Sequence, residues 1–341
     1  MAFVPTCCPY PECRSRRRGL APSFCKKGAY RRRCDGRLVQ RFRCHHCGRR
    51  FSSQSFRADR RLRKTWLCTP VVSLLCAKVS MRRIAEVLGV RRPTVERRLD
   101  RYGRHARQLH EALLERAGAR AGAALQQVVM DELETFATDR TACPLSVPVL
   151  VQPESYFVVH VGVAPLPARG GLTQENEARK RARQAREGVR RSGSDAAVER
   201  GLRAWAKHCP RGASPTLVSD EKPSYARLFG EVFGGRGHHT RVSSKRRRDT
   251  ANPLFAVNMT LAMMRDGLGR LVRRSWGHSR TERRLERHLW LWVLFRNYAR
   301  ELSRRVRHTT SAQALGIVDR RFSMAELLRW RAPFGELLFR S

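Results

Sequence analysis

Two short stretches decide the fold: Gln127-Val128-Val129-Met130-Asp131-Glu132 and Thr216-Leu217-Val218-Ser219-Asp220-Glu221. In each, an apolar run rich in β-branched residues stops at an Asp-Glu pair, which is typical of a buried strand that ends in carboxylates. If the two strands are parallel neighbours, Asp131 and Asp220 lie at one edge of a sheet. Because Mg²⁺ prefers oxygen ligands, this edge is predicted to bind two Mg²⁺ ions.

Each acidic pair offers two candidate ligands. Side chains alternate along a strand, so only one member of each pair can face a cleft. We prefer Asp131 and Asp220 because the apolar run stops immediately before each of them, and Glu132 and Glu221 stay as alternatives. The acids could instead cap helices or end exposed strands without binding a metal.

The charge of the chain predicts its partner. Lys and Arg number 70 against 29 Asp and Glu, which gives a formal charge of +41 over 341 residues. The basic residues also cluster, so nucleic acid is the expected partner, although an Arg-favouring genome could supply part of the excess as solvated surface. A hydrophobic content of 41% allows two or three folded domains.

No stretch approaches the roughly 20 apolar residues of a membrane helix, and no secretory leader opens the chain. We therefore expect a cytoplasmic protein, associated with the nucleoid, with no membrane partner. The 11 cysteines are odd in number and six of them precede residue 45, which favours metal binding over a disulfide framework.

The amino-terminal cysteines have the spacing of a zinc ribbon. Cys8 and Cys13 form one paired turn, and Cys44 and Cys47 form a second that Gly48 follows. Four thiolates complete a tetrahedral Zn²⁺ site with no open position, so the metal is predicted to be structural. Competing ligands are Cys7, Cys25, Cys34, His45 and His46, and free thiols in a basic arm are the simpler alternative.

Residues 80–99 predict a helix-turn-helix. Apolar residues fall on one face of each of two short helices, and Gly89 suits the left-handed conformation that ends the first. The second helix is predicted to carry outward the residues Arg91, Arg92, Thr94, Arg97 and Arg98. Such a helix fits the major groove of double-stranded DNA, whereas the alternative is a basic helical hairpin that contacts no DNA.

The chain is predicted to be a multidomain α+β protein. An Ala/Gly-rich linker at residues 117–124 separates the helices from predicted strands at residues 128–130, 147–151, 156–163 and 217–219. A charged stretch at about 170–212 predicts an inserted, solvated helical pair. The expected domains are a ribbon at 1–56, a helix-turn-helix at 60–118, and an α/β domain with a mixed sheet flanked by helices at 125–341.

Taken in order, these motifs resemble bacterial insertion-sequence transposases that join a zinc ribbon and a helix-turn-helix to an RNase-H-like DDE core. The similar segments are residues 40–52, 130–132, 220–225, 252–258 and 270–274. The resemblance implies cleavage of a DNA strand at the element's end, followed by strand transfer into target DNA. It also implies a homo-oligomer on DNA.

The resemblance further implies a third acid, and here the match fails. Related sequences carry a Glu a few residues before the equivalent of Asn258, where this chain has Phe255. We favour Glu286, on a helix whose leucines and tryptophans mark a buried face, as the third catalytic residue with Asp131 and Asp220. Glu282, Asp249 and Asp266 stay as alternatives, as does the absence of any third acid.

Two further features and two other functions complete the prediction. The basic run Lys245, Arg246, Arg247 and Arg248 is predicted to hold DNA phosphates without reading sequence, and the stripe from Trp290 to Tyr298 is predicted to be core. A DNA-binding regulator or inactivated transposase would bind DNA without cutting it. An RNA-processing nuclease on the same fold would cut RNA.

Overall fold

The chain is described by a computed structural model that covers residues 3–170, 173–243, 245–247, 249–272, 279–303 and 306–339. It divides into two compact units. The cysteine unit comprises Met1–Pro70 and Ala325–Ser341, and the sheet unit comprises Val71–Met324. No helix in the described ranges is both long enough and apolar enough to cross a membrane.

The cysteine unit is built on an antiparallel sheet in the order β1-β2-β3. Its elements are the helix α1 (Arg14–Arg17), the strands β1 (Phe24–Arg31), β2 (Leu38–Cys44) and β3 (Arg50–Ser52), and 3₁₀ turns at Ser53–Phe56, Thr65–Leu67 and Ala332–Phe339. The alternating segment before Cys44 forms β2, as the sequence predicts. The core is small, and aromatic rings and cysteines supply most of its buried residues.

Residues from the far end of the chain complete this core. The Ala58 amide donates to the Arg329 carbonyl at 3.0 Å, and the Arg331 amide donates to the Phe56 carbonyl at 2.8 Å. The Phe334 ring packs 4.7 Å from that of Phe56. The expectation that residues 125–341 form one domain did not include this packing. The packing has a physical reason, because a ribbon of this size cannot bury enough apolar surface alone.

The sheet unit has a mixed sheet in the order β6-β5-β4-β8-β9, with β7 paired to β5. Its strands are β4 (Gln127–Ala137), β5 (Asp139–Val151), β6 (Val158–Val161), β7 (Ala164–Pro165), β8 (Thr216–Ser219) and β9 (His238–Arg241). β4 pairs antiparallel with β5 and parallel with β8, and β8 pairs parallel with β9. The four predicted strands are therefore confirmed, and two of them are parallel neighbours.

Two strands are longer than the sequence suggests, since β5 begins at Asp139 rather than at residue 147 and β4 ends later than expected. β4 continues six residues beyond Asp131, so the expectation that Asp131 ends the strand is wrong. Its ladder with β8 reaches Val129, while its ladder with β5 continues to Ala137. Antiparallel pairing on one side sustains the strand after the parallel partner has ended, which apolar periodicity alone does not reveal.

The remaining helices follow in chain order, and several of them pack against this sheet or against each other. They are α2 (Cys68–Cys76), α3 (Met81–Val87), α4 (Arg92–Ala117), α5 (Ala119–Ala124), α6 (Gln174–Glu187), α7 (Ser194–Ala206), α8 (Pro223–Phe233), α9 (Phe255–Gly267), α10 (Glu282–Tyr298), α11 (Ser311–Ala314) and α12 (Met324–Leu327). α4 packs along α10, while α7 and α9 contact the sheet. The rings of Trp290, Trp292 and Tyr298 are buried, as predicted for core.

The predicted helix-turn-helix segment forms α3 and the first turns of α4. Gly89 lies between them with φ of +58°, which confirms the predicted left-handed position. α4 does not stop near residue 99 but runs for 26 residues, and the predicted linker forms α5. The apolar face that packs α4 on α10 continues past residue 99, where the predicted helix-turn-helix ends. Tertiary contacts therefore extend the helix.

The predicted helical insertion divides into two different helices. α6 has no buried residue, as expected of a solvated helix. α7 instead buries Val198, Leu202 and Trp205, and the Trp205 indole donates to the Leu125 carbonyl at 2.7 Å. The expectation of a solvated pair is therefore wrong for α7, because its apolar residues recur at helical spacing and pack on the sheet.

Candidate functional site

The structure brings together the thiols of Cys8, Cys13, Cys44 and Cys47. Their sulfur atoms all lie within 4.8 Å of one another. The Cys8–Cys47 and Cys13–Cys44 sulfur pairs are each 3.7 Å apart. A tetrahedron with Zn–S bonds of about 2.3 Å has edges of about 3.8 Å, so this donor set fits a four-coordinate metal.

The local environment favours ionisation of one of these thiols. Burial raises the pKa of Cys13, but hydrogen bonds from Ser15 and the neighbouring thiols outweigh it and lower that pKa to about 6. The Ser15 hydroxyl lies 3.1 Å from the Cys13 sulfur. A thiolate is the form that binds a metal. Cys7, Cys25, Cys34, His45 and His46 lie outside the group of four.

The sheet unit positions the two predicted aspartates at equivalent points of neighbouring parallel strands. Val129 pairs with Val218 at the end of their ladder, and Asp131 and Asp220 each lie two residues further on. Both are partly exposed. Oδ1 of Asp131 accepts the Glu132 amide at 2.7 Å, and Oδ1 of Asp220 accepts the Lys222 amide at 3.2 Å. The register therefore places both carboxylates at one edge of the sheet.

Glu132 has a different environment from its neighbour Asp131. Its carboxylate accepts hydrogen bonds from Tyr225 Oη at 2.7 Å, Ser194 Oγ at 2.8 Å and Ser146 Oγ, and it pairs with Lys222 Nζ at 2.9 Å. Burial raises its pKa, but these hydrogen bonds and the Lys222 charge outweigh that effect, so the pKa lies below its usual value. Glu132 thus ties β4 to the starts of α7 and α8.

The charges of all three acids at this edge of the sheet raise the pKa of the Tyr225 phenol. Burial raises its pKa most, followed by the charge and hydrogen bond of Glu132 and then by the charges of Asp220 and Asp131. Glu221, in contrast, is exposed. In the pair on β4, Glu132 is therefore engaged by protein groups, whereas in the second pair both Asp220 and Glu221 are accessible.

No third acid joins these aspartates at close range in the described ranges. There, the four cysteines form the one group of three or more His, Cys, Asp or Glu donors within 4.8 Å of each other. Glu286 lies on α10 and pairs with Arg107 Nη1 at 3.4 Å. The alternatives also have basic partners: Glu282 with Arg190, Asp249 with Arg247 and Asp266 with Lys78.

A basic loop leaves the sheet at the same edge. β9 runs parallel to β8, and the Val242 amide donates to the Ser219 carbonyl at 2.8 Å. Lys245, Arg246 and Arg247 follow and are exposed, whereas Arg248 lies outside the described residues. Because parallel strands end on the same side, this cationic loop and the two aspartates share one edge.

The helix predicted to enter DNA presents most of the expected residues. Arg91, Arg92 and Arg97 are exposed and Thr94 is partly exposed. Arg92 pairs with Glu96 at 2.9 Å. Arg98 is only 6% exposed, so the prediction that it faces outward is wrong. It lies three residues after Val95 and four before Tyr102, both fully buried, so helical spacing places it on the buried face of α4.

Sequence reasoning missed the side chains that hold the acidic edge together. Lys222 and Tyr225 lie in a segment that was noted only for its resemblance, and their spacing at the start of α8 offered a weak signal. Ser146 and Ser194 offered none, because hydroxyl partners far apart in sequence have no pattern. The completion of the cysteine unit by residues 325–339 was also missed.

No protein-family model and no curated protein matches this sequence. Two solved structures align with the chain. The Mos1 strand transfer complex is 14% identical with a TM-score of 0.24, over 57% of this chain and 64% of that one. The catalytic domain of Mos1 mariner transposase is 15% identical with a TM-score of 0.25, over 64% of this chain and 96% of that one. Alignments of this quality establish neither a shared fold nor a shared function.

Proposed function

We propose that the chain is a DNA transposase that cuts and joins DNA strands with divalent metal held by Asp131 and Asp220. The observation that carries the proposal is the register of β4 and β8, which sets the two aspartates at equivalent positions of parallel neighbours. The formal charge of +41 and the exposed basic loop beside this edge support a polyanionic substrate. The mixed sheet with packed helices suits the proposed RNase-H-like core.

In this proposal the acidic residues bind the metal and the basic residues bind the DNA phosphates. Bound Mg²⁺ would activate the attacking oxygen and stabilise the leaving one in an in-line displacement. Asp131 and Asp220 would hold it, and Lys245, Arg246 and Arg247 would hold phosphates. In the first displacement water would attack phosphorus, and the P–O3′ bond would break to release a 3′-hydroxyl. In the second, this hydroxyl would attack a phosphodiester of target DNA, whose P–O3′ bond would break to release a 3′-hydroxyl of the target strand. Glu286 could act as the third ligand only after exchanging Arg107 for the metal.

The remaining regions would bind double-stranded DNA at the element ends. We propose Arg91, Arg92, Thr94 and Arg97 as the contacts of a helix-turn-helix, and a structural Zn²⁺ on the four cysteines as the stabiliser of the ribbon. Pairing two ends would require at least a homodimer. Action on chromosomal DNA would place the protein in the cytoplasm, at the nucleoid.

The first prediction tests the carboxylates. Asp131→Asn and Asp220→Asn should each remove Mg²⁺-dependent nicking of supercoiled plasmid, by roughly 10³-fold or more, because a neutral amide binds the cation weakly. Mn²⁺ binding followed by calorimetry should fall in the same variants. Asp319→Asn is the matched control, since it removes the same charge from an exposed carboxylate that no part of the proposed site includes.

Other outcomes separate the alternatives. Plasmid binding without cleavage by the unaltered chain would support the regulator or the inactivated transposase and contradict the enzyme. Cleavage of RNA but not DNA would support the RNA-processing nuclease. Glu286→Gln in the same assay tests the third acid, because loss of nicking with normal folding would assign it to the metal.

A further inference from the structure

The cysteine unit contains an open cleft of about 930 Å³ that no prediction anticipated. It is lined by residues between Tyr30 and Trp66, from the outer surface of the three-stranded sheet and from the segment that follows it. Eight of its sixteen lining residues are Arg or Lys, and none of these described lining residues is acidic. A concave surface with this charge concentrates polyanions.

One lining arginine, Arg32, pairs with nearby carboxylates, at 3.6 Å from both Asp35 and Asp59. The buried Asp59 pairs with Arg57 at 2.7 Å and with Arg32 at 3.6 Å, so these two arginines balance its negative charge. Arg33, Arg61 and Arg63 are exposed, and in the ranges that the structure covers none of them pairs with a carboxylate. Their guanidinium groups are thus available to phosphates.

Aromatic rings accompany the cations. Trp66 lies on a short 3₁₀ turn at the cleft and is 61% exposed, although a large indole is usually well buried. Trp205, Trp290 and Trp292, in contrast, are fully buried. Exposed aromatic rings beside a cationic groove are the surfaces on which unpaired bases stack.

The size of the cleft limits what can enter it. Its volume is within the range of about 300–1,000 Å³ for pockets that enclose small ligands. A short stretch of single strand fits such a space. Stacking also requires the exposed face of a base, which pairing within a duplex conceals.

We propose that this cleft binds a short single-stranded segment of DNA, with its phosphates on Arg33, Arg61 and Arg63 and a base stacked on Trp66. The inference rests on the proposed function for its choice of DNA, because a strand end released by cleavage can separate from its complement. It adds a site, separate from the helix-turn-helix, that distinguishes single-stranded from paired DNA.

The test measures binding of the full chain to a fluorescein-labelled oligothymidylate by anisotropy, without Mg²⁺ so that no cleavage occurs. Trp66→Ala should weaken binding roughly tenfold, since stacking contributes about 1–3 kcal/mol per base. Trp66→Phe should retain most of the affinity because it keeps a flat ring. Arg33→Ala combined with Arg61→Ala should weaken binding and reduce its salt dependence.

Arg37→Ala is the matched control, because this arginine is exposed but lies outside the cleft and pairs with Asp35. It should bind like the unaltered chain. Equal affinity in all variants would overturn the proposal, as would an equal loss for a duplex hairpin or tighter binding of an RNA oligomer. Plasmid nicking is scored separately, so loss of nicking with intact oligonucleotide binding would reject only the proposed enzyme.

Discussion

The cysteine unit and the sheet unit use their candidate metal ligands in different ways. In the cysteine unit, Cys8, Cys13 and Cys44 are themselves part of the buried core, beside a few aromatic rings. In the sheet unit, Asp131 and Asp220 lie partly exposed at the edge of strands whose apolar residues are already buried. The cysteines are therefore part of the buried core of their unit, whereas the two aspartates lie outside the buried core of theirs.

The largest effect is expected at the cysteines. Cys44→Ser, or removal of metal by a chelator, should unfold the cysteine unit, because structural Zn²⁺ contributes about 10–16 kcal/mol in small zinc modules. Hydrogen exchange should show lost protection in β1, β2 and β3, while β4 and β5 keep theirs. Cys25→Ser is the control, since Cys25 lies outside the group of four. Unchanged protection after Cys44→Ser would contradict the contrast between the two units.

The second effect concerns the apolar part of the same core. Phe334→Ala should destabilise the cysteine unit by about 3–5 kcal/mol, since it removes a fully buried ring that packs on Phe56. Denaturant unfolding followed by exchange in β2 and β3 measures the loss. Glu336→Ala, at an exposed position of the same segment, should change little. Equal stability of the two variants would mean that the carboxyl-terminal segment does not complete this core.

The smallest effect is expected in the sheet unit, at Glu132. Glu132→Gln should lower the free energy of unfolding by about 1.5–3 kcal/mol at neutral pH, because it weakens charge-assisted hydrogen bonds and the pair with Lys222. The control is Glu134→Gln, on the same strand but exposed and paired with Arg169. A drop as large as that of Cys44→Ser would contradict the contrast between the units.

The pH dependence of stability has a definite sign at this residue. The folded pKa of Glu132 lies below its usual value of 4.5, so folding favours the ionised form. That stabilisation is fully present above pH 4.5 and is lost as the pH falls through the folded pKa. Below pH 4.5, the free energy of unfolding should therefore fall less steeply with decreasing pH in Glu132→Gln than in the unaltered chain.

Much of the architecture was predictable because it follows from local pattern. The apolar runs before the two acidic pairs predicted β4 and β8, and the alternation before Cys44 predicted β2. Gly89 was predicted to be left-handed because a tight turn after α3 requires it. The spacing of the cysteines selected the four thiols that the structure brings together.

Features that depend on distant partners were not predictable. Arg98 has the same charge as Arg97, but it lies on the face of the long helix α4 that packing buries. The role of α7 as a core helix depends on the sheet that its tryptophan meets. The partners of Glu132 come from three other elements, and no periodicity links them.

By itself, the sequence determined the strands, the cysteine spacing and the excess of positive charge, because these depend on residue type and on intervals of a few positions. Tertiary structure alone decided which acid is bound by Lys222, which arginines remain exposed around Trp66, and that residues 325–339 complete the cysteine unit. Burial and pairing depend on what lies across space from a residue. A side chain's neighbours in sequence constrain that only weakly.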